Sequence, residues 1–439
     1  MGLTFKHGIH PEYHKEPTAN KRIERATLPE RVIIPLQQHT GVPCQPLVKK
    51  GDTVVEGQKI GEAQAFVSSP VHSPINGKVK EIEKHPHPLG GKVMSIVIEG
   101  DGTTMEWGNG DIGLDLKILT PEALREIIRD AGIVGLGGAA FPTYVKLSPP
   151  KEKRIDTVII NGCECEPYLT GDHRLMCEAP EKIVWGMKAI TKTVGAEEGF
   201  IGIEENKPDA IDAIQRVVQE IAPDVKVVAL ETKYPQGAEK MLIKAILGRN
   251  VPAGKLPLDV GVVVNNVGTA VAIYKAIRYK KPIIERVITV SGNGVAEPKN
   301  LLVRIGTTFE DVLSQCGGIT KDGEGEVIMG GPMMGIAQTT LDVPVVKATS
   351  GIIVLTGSEL HPLTYEPCIR CARCVEACPM SLMPFRIADL GRLYRVEDFK
   401  FWGGLVCIEC GCCSYVCPSK RPLVQWIRVG KVKVREAGR

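Results

Sequence analysis

Nine of the chain's fourteen cysteines lie between Cys368 and Cys417. Eight of them form two runs of identical spacing, Cys368-x2-Cys371-x2-Cys374-x3-Cys378-Pro379 and Cys407-x2-Cys410-x2-Cys413-x3-Cys417-Pro418. Short Cys-x2-Cys steps let a tight loop wrap three thiolates around one cubane, and the fourth cysteine, three residues on, points to the other cluster. Cys368, Cys371, Cys374 and Cys417 are therefore expected to hold one [4Fe–4S] cluster, and Cys407, Cys410, Cys413 and Cys378 the second. Two structural zinc sites are the competing chemistry, but zinc ribbons use separated cysteine pairs, not four cysteines followed by proline, twice. Cys412 is a ninth thiol inside the second run; the spacing favours Cys413 as ligand and leaves Cys412 a bystander. Two neighbouring one-electron carriers form a wire, and a wire needs a terminal at each end.

Three polar or glycine-rich segments are candidates for that terminal: Gly135-Leu-Gly-Gly-Ala-Ala-Phe-Pro-Thr143, Asn161-Gly-Cys-Glu-Cys-Glu-Pro167 and Asn265-Asn-Val-Gly-Thr269. Glycine lets backbone N–H groups approach an anion or a flat ring closely. The first segment follows a helix rather than a strand, so it is not the usual dinucleotide fingerprint. The other two sit at the ends of the apolar strands expected at Ile155–Ile160 and Val260–Val264, where a parallel α/β sheet places its ligand. Glu164 and Glu166 would repel a phosphate and should face a ring or a ribose. Cys163 and Cys165 lack a second thiol pair nearby. Cys44, Cys177 and Cys316 read as buried small hydrophobes.

The elements that position these groups follow from the pattern between residues 120 and 280. Thr120-Pro-Glu opens a helix that ends near Gly132. Strands at Phe200–Ile203 and Val225–Leu230 alternate with a helix carrying Ile211, Ile214, Val217, Val218 and Ile221 on one face. Helices at Ala238–Leu247 and Thr269–Arg278 complete a Rossmann-like, parallel α/β unit. Upstream, short strands at Val32–Leu36, Pro46–Val48, Val54–Val55, Gly77–Ile82 and Val93–Ile98 form an all-β module. Its Val48-Lys-Lys-Gly-Asp-Thr-Val-Val-Glu-Gly-Gln58 and Ser73-Pro-Ile-Asn-Gly-Lys-Val79 strings resemble the biotinyl/lipoyl barrel-sandwich family. The carrier lysine of that family is replaced by Phe66, so the module is expected to be structural. Residues 281–345 are β-rich, with a tight loop at Gly330–Gly335, and 346–360 read as a linker. Leu382–Phe399 could add a helix between the cysteine runs.

With 439 residues the chain is long enough for about three domains. A 43% hydrophobic and 24% charged composition excludes a mainly disordered chain. Its 54 basic and 51 acidic residues are too balanced for a dedicated nucleic-acid binder. No apolar run is long enough to cross a bilayer, and Met1–Arg25 lacks the apolar stretch of a signal peptide. His7, His10 and His14 in the first thirty residues offer a metal site or, more simply, a solvated arm. The tail Arg421–Arg439 holds six Lys/Arg against Glu436; it could meet anionic lipid or a partner protein, or be a solvated helix.

The three segments and the paired cysteine runs, in that order after an opening Gly8-Ile-His-Pro11, resemble the RnfC/RsxC family, the C subunits of Rnf electron-transport complexes, over essentially the whole chain. The central unit is also similar to the flavin subunit of complex I, which carries a single cluster. The resemblance implies an arm at 1–30, a barrel-sandwich hybrid at 31–105, a Rossmann-like FMN/NADH domain at 118–280, a β-grasp (SLBB-like) module at 281–345, a bis-[4Fe–4S] ferredoxin domain at 358–425 and a basic tail at 426–439. It implies that Gly135, Gly137 and Gly138 approach FMN and NADH, and that Phe141 and Lys146 contact the nucleotide. Asn161, Glu164 and Glu166 would belong to the flavin site, and Asn265, Asn266 and Thr269 to its phosphate end. Cys163 stands where complex I relatives carry an acid. The implied function is a ferredoxin:NAD⁺ oxidoreductase, ion-translocating as a complex, with this chain its peripheral NAD(H) end on the cytoplasmic face of the membrane. Partners would be iron–sulfur, flavin and integral membrane subunits, with ferredoxin indirect and no nucleic acid. No side chain is needed as acid or base for hydride transfer. A soluble flavin/iron–sulfur reductase, such as a corrinoid reductase, and a non-enzymatic electron-transfer scaffold are the other readings of the same motifs.

Overall fold

Val262, Val263 and Val264 are apolar without alternation, as in a strand buried on both faces. In the computed structural model, which describes residues 2–107, 114–320, 325–360 and 364–438, they lie in a four-stranded parallel sheet. Its spatial order is Val225–Leu230, Glu198–Glu204, Thr157–Asn161, Val262–Asn266. Successive residues point to opposite faces. Val158, Ile160, Ile201 and Val263 enter one core, while Ile159, Phe200, Val262 and Val264 enter another. Helices Pro121–Asp130, Pro180–Val194, Pro208–Ile221 and Val267–Tyr279 cover the first core, and Glu239–Leu247 covers the second. Thr120 caps the first of these helices by accepting a hydrogen bond from the Ala123 N–H. The expected Rossmann-like unit is therefore present, with two additional helices, Gly171–Glu178 and Pro180–Val194.

Two small antiparallel sheets share a core of Val32, Ile34, Val54, Ile60, Val71, Val79, Ile96 and Ile98 and build the barrel-sandwich hybrid. Strands Lys59–Glu62 and Val71–His72 complete it beyond those read from the sequence. A six-stranded mixed sheet, spatial order Ile23–Arg25, Lys299–Arg304, Glu285–Ser291, Gly351–Thr356, Gly325–Met329, Ile336–Gln338, packs on helix Phe309–Ser314 as the β-grasp module.

Two expectations are corrected here. Residues 346–360 are no linker: Gly351–Thr356 is a fully buried strand, parallel to Glu285–Ser291 and antiparallel to Gly325–Met329. Ile352, Ile353 and Val354 are each wholly removed from water, which stabilises by roughly 2 kcal/mol per side chain. Nor is the N-terminal segment a solvated arm. Leu3 bridges to Leu230, Ile9 to Tyr234, and Ile23–Arg25 adds an edge strand to the β-grasp sheet. Buried Phe5 and Ile9 fix the segment as a strap across the other modules. His7, His10 and His14 do not converge: His10 lies 3.7 Å from Glu231, and His14 stacks on Tyr168.

Between the cysteine runs the chain forms two helices, Pro384–Arg392 and Val396–Phe401. The C-terminal helix Leu423–Ala437 buries Leu423, Val424, Ile427 and Gly430 against them. Glycine is required where these helices meet, because a Cβ at Gly391 would stand 2.4 Å from the Trp426 carbonyl oxygen. The basic tail is thus a packed helix; Arg439 lies outside the described residues.

Candidate flavin crevice and iron–sulfur cradle

The loop after helix Pro121–Asp130 turns back on itself, the Gly135 N–H donating to the Phe141 carbonyl at 2.9 Å. The Leu136 N–H donates to Thr269 Oγ1 at 3.0 Å, docking the loop on the N-terminus of helix Val267–Tyr279. Asn266 caps that helix by accepting from the Gly268 N–H at 2.8 Å, and its amide donates to Asp172 Oδ2 at 2.5 Å. A Cβ on Gly137 would sit 2.9 Å from the Asn266 Cβ, whereas one on Gly138 would meet nothing within 4 Å among the described residues. Gly137 is needed for close approach to Asn266, and Gly138 presents bare backbone to the crevice.

The other expected residues gather at the same sheet edge. Asn161 donates to the Gly237 carbonyl at 2.8 Å and accepts from the Cys163 N–H at 3.1 Å. Lys146 donates to the Val264 carbonyl at 2.8 Å and pairs with Glu239 at 3.2 Å. The Asn265 amide nitrogen is buried and has no hydrogen-bond partner among the described residues. A buried donor without an acceptor costs about 1–3 kcal/mol, and an acceptor on a bound ligand would satisfy it. A helix N-terminus, bare glycine N–H groups and an unpaired amide together suit an anionic, hydrogen-bond-accepting flat molecule such as FMN.

Glu164 departs from its expectation. Its carboxylate accepts from the Asp172 N–H at 2.7 Å and the His173 N–H at 3.0 Å, capping helix Gly171–Glu178, so it does not face a ring or ribose. The helix end offers unpaired N–H groups closer to Glu164 than any ligand would be. Burial and Glu164 push the neighbouring Asp172 up to about 7. Glu166 is also lifted to about 7 by burial, an effect opposed by N–H groups of Met333 and Met334 and by Tyr234. Its Oε2 accepts from the Met333 N–H at 3.1 Å, which puts the Gly330–Gly335 loop against the flavin unit.

Several residues here carried no sequence signal. Lys15, in the strap, donates to the carbonyls of Glu164, Glu166 and Leu169 at 2.9, 2.8 and 2.5 Å; burial lowers it to about 8. Tyr234 donates to the Cys410 carbonyl at 2.7 Å and lies 3.3 Å from Glu166 Oε1. A lysine in a polar segment and a lone tyrosine have no spacing that marks them.

The cysteine segment repeats in backbone as well as in spacing. Arg370 and Ala372, which flank Cys371, are left-handed, and so are Glu409 and Gly411, which flank Cys410. Ser381 and Lys420, each three residues past the fourth cysteine of a run, are left-handed too. These turns bring the thiols into the two crossed groups. Burial raises the Cys374 thiol, and Cys417, Cys368 and Cys371 are close enough to raise it further. Cys413 is raised by burial and then by Cys407, Cys410 and Cys378. Among the described residues, no three of the eight thiols lie within 4.8 Å of one another, which is too wide for one tetrahedral zinc ion. N–H groups of Leu382 and Glu409 point at Cys378 and Cys407 sulfurs at 3.4 and 3.3 Å.

The two groups differ in exposure. Cys368 and Cys371 are exposed, whereas Cys378, Cys410 and Cys413 are buried. The second loop is covered on one side by the C-terminal helix, whose Lys431 donates to the Cys407 carbonyl and to Glu409, each at 2.6 Å. On another side Cys410 and Cys412 share a core with Ile9, Cys165 and Tyr234. Cys163 is buried in the core on the flavin side, whereas Cys165 is buried in the core that reaches Cys410 and Cys412.

Four family models match the chain: the RnfC barrel sandwich hybrid domain over residues 3–103, the Nuo51 FMN-binding domain over 128–275, the SLBB domain over 287–337 and a 4Fe-4S dicluster domain over 367–421. The chain is 49% identical to the C subunit of the proton-translocating ferredoxin:NAD(+) oxidoreductase complex of Clostridium ljungdahlii, covering 100% of this chain and 95% of that protein. It is 48% identical to the Na(+)-translocating counterpart of Acetobacterium woodii, over 98% of this chain and 97% of that one. Identity to the C subunit of the ion-translocating oxidoreductase complex of Rhodobacter capsulatus is 42%, over 99% and 84%. Among solved structures, an NAD⁺-reducing [NiFe]-hydrogenase in its H2-reduced state shares the fold at a TM-score of 0.52 and 19% identity, over 73% of this chain and 64% of that one.

Proposed function

The chain belongs to the RnfC family, the C subunits of ion-translocating ferredoxin:NAD(+) oxidoreductase complexes, and on that premise we propose that it is the NAD(H)-handling peripheral subunit of such a complex. Electrons would pass between NAD(H), FMN and two [4Fe–4S] clusters, and then to iron–sulfur, flavin and membrane subunits. The observation that carries this reading is the contact between the two sites: the Cys410 carbonyl lies 2.7 Å from the hydroxyl of Tyr234, a residue that also borders Glu166. The Cys407, Cys410, Cys413 and Cys378 cluster is thereby the neighbour of the crevice. The Cys368, Cys371, Cys374 and Cys417 cluster, with two exposed thiols, is the exit.

FMN, when bound, supplies the change between two-electron and one-electron transfer. The residues of the chain bind and orient it. Gly135 closes the loop onto the Phe141 carbonyl, and Gly137 and Gly138 bring the backbone close to the ring and nucleotide. Asn265, Asn266 and Thr269 hold the phosphate end with the N-terminus of helix Val267–Tyr279. Asn161 and Lys146 line the crevice beside Phe141, and Glu166 borders it on the cluster side. Glu164 serves indirectly, by holding helix Gly171–Glu178 and thus Asp172 against Asn266. Among the described residues no helix is long and apolar enough to cross a membrane. A peripheral position on the cytoplasmic face fits an NAD(H) substrate.

The test is an anaerobic optical titration of the FMN-loaded, cluster-loaded chain with NADH. Bleaching of the flavin and then of the clusters is expected. Intact clusters with no bleaching would overturn the NAD(H) role and favour an electron-transfer scaffold. Recovery from gently lysed cells in the soluble fraction alone, with NADH reactivity intact, would favour a soluble reductase.

A further inference from the structure

Helix Gly171–Glu178 carries a second set of ligand-type side chains, separate from both cysteine runs. His173 and Cys177 are four residues apart and so share one face of the helix. Asp209, in the first turn of helix Pro208–Ile221, reaches that face from the neighbouring element. His173 Nε2 lies 2.7 Å from Asp209 Oδ1, and Cys177 Sγ lies 3.3 Å from Asp209 Oδ2. One ligand atom from each residue falls within 4.8 Å of the other two. Cys177 is thus not the buried hydrophobe that its isolation in the sequence implied; it is half-buried and bonded to a carboxylate.

We propose that His173 Nε2, Cys177 Sγ and an Asp209 carboxylate oxygen bind one divalent cation of the zinc class and pin helix Gly171–Glu178 to helix Pro208–Ile221. The donor set selects the metal: a thiolate, an imidazole and a carboxylate suit zinc, whereas magnesium and calcium prefer oxygen alone. The charges fit as well, since a thiolate and a carboxylate neutralise a doubly charged ion. Arg174 Nη1 stands 4.0 Å from Asp209 Oδ2, but its guanidinium is paired with Glu178 at 3.1 Å and bonds the Ala19 carbonyl at 3.4 Å. The Asp209 side chain is half exposed while that of His173 is 8% exposed, so solvent reaches the set from one side and water can complete a tetrahedron. On binding, three metal–ligand bonds replace the metal's bonds to water, the Cys177 thiol proton leaves to solvent, the proton between His173 Nε2 and Asp209 moves to Nδ1 or to solvent, and no group is oxidised or reduced.

Two other readings of the trio are weaker. A nucleophilic cysteine needs an imidazole beside the thiol with the acid behind it; here the carboxylate stands in the middle, so the imidazole is not positioned to activate Cys177. A plain hydrogen-bonded tie would rest on the His173–Asp209 bond and leave the Cys177 thiol, a weak donor, aimed at a half-solvated carboxylate. The same helix presents Asp172 to Asn266, so the ion would stiffen the floor of the crevice, but the site does not depend on what the crevice binds.

The test uses the cluster-loaded chain equilibrated in zinc buffered at low micromolar free concentration, with metal analysis and a zinc K-edge spectrum. The expected result is one zinc per chain with a single sulfur neighbour and an unchanged iron count. Cys177→Ala and His173→Gln should each weaken zinc affinity about tenfold or more, while Cys316→Ala leaves it intact. The proposal is overturned if the wild-type chain retains no zinc, or if retained zinc is undiminished in both variants. Should the variants fail to fold, the wild-type spectrum decides alone: a sulfur count of none, or of two or more, overturns the assignment.

Discussion

The hydroxyl of Tyr234 donates to the carbonyl oxygen of Cys410 at 2.7 Å across 176 residues of chain, joining the end of the flavin unit to the loop around the second cluster. The same hydroxyl lies 3.3 Å from Glu166 Oε1, and it has one proton for two oxygens. Tyr234→Phe removes both contacts and keeps the ring in the core formed with Ile9, Cys165 and Cys412. The expected cost is about 1–2 kcal/mol, the loss of a buried hydrogen bond, with the iron content unchanged. Stopped-flow mixing with NADH should show the flavin step at its wild-type rate and the subsequent bleaching of the clusters slowed. Equal slowing of both steps would place Tyr234 in the nicotinamide site instead.

Glu166 makes the region sensitive to pH. Burial raises its folded-state value from 4.5 to about 7, so the folded chain holds a proton that the unfolded chain releases. The stability this contributes is present below about pH 4.5 and is lost as pH rises through about 7. The size is of order 3 kcal/mol, from about 1.4 kcal/mol per pKa unit. Glu166→Gln keeps a neutral group of the same shape and should flatten the fall in thermal midpoint between pH 5 and about 7.5. A profile as steep as that of the wild type would assign the proton elsewhere, with Asp172, also near 7, the first candidate.

Gly137 and Gly138 separate close packing from open backbone within one loop. Gly137→Ala drives a methyl group into Asn266, 2.9 Å away, which must then give up its helix cap or its bond to Asp172. FMN affinity should fall about tenfold or more, as one to two kcal/mol of positioning is lost. Gly138→Ala meets no atom of the described residues within 4 Å, so the bare chain should keep its stability while FMN binding weakens by direct obstruction. Fluorescence titration of free FMN, paired with melting of the FMN-free chain, distinguishes the two outcomes. Unchanged affinity in both variants would remove the loop from the site.

Chemistry that is local in sequence was legible, and chemistry made by long-range packing was not. The cysteine runs encode their loops through spacing, and the left-handed residues around Cys371 and Cys410 repeat in step with it. The place of Asn161, Asn265 and Asn266 at one sheet edge was legible because they end apolar strands of a parallel sheet. Lys15 was not, since its three carbonyl partners lie about 150 residues away and nothing near it in sequence marks a buried ammonium. Glu164 and Glu166 look alike in the sequence, yet one caps a helix and the other borders the cluster loop, a difference set by tertiary approach alone. The strand Gly351–Thr356 is a short apolar run without alternation, so periodicity alone does not assign it.

Cys412 and Cys413 are adjacent, yet only one has room to be a ligand. Cys412 is fully buried among Ile9, Cys165 and Tyr234, with its sulfur 4.0 Å from the Tyr234 carbonyl oxygen. A hydrogen bond to Cys410 is the first cause that holds its thiol protonated, with burial second. Cys413 instead packs with Cys374 and Ile387 in the core of the cysteine segment, beside Cys407 and Cys378. Cys413→Ala should therefore lose one cluster, about four of the chain's eight or so irons, whereas Cys412→Ala should keep them all. Cys412→Ala still opens a small cavity between the cluster loop and the flavin unit, at roughly 1 kcal/mol, so its thermal midpoint should fall without loss of iron. Iron analysis with low-temperature electron paramagnetic resonance of the reduced proteins checks both. The reverse result, iron lost with Cys412 and kept with Cys413, would shift the second loop by one residue and place the second cluster directly against the strap residue Ile9.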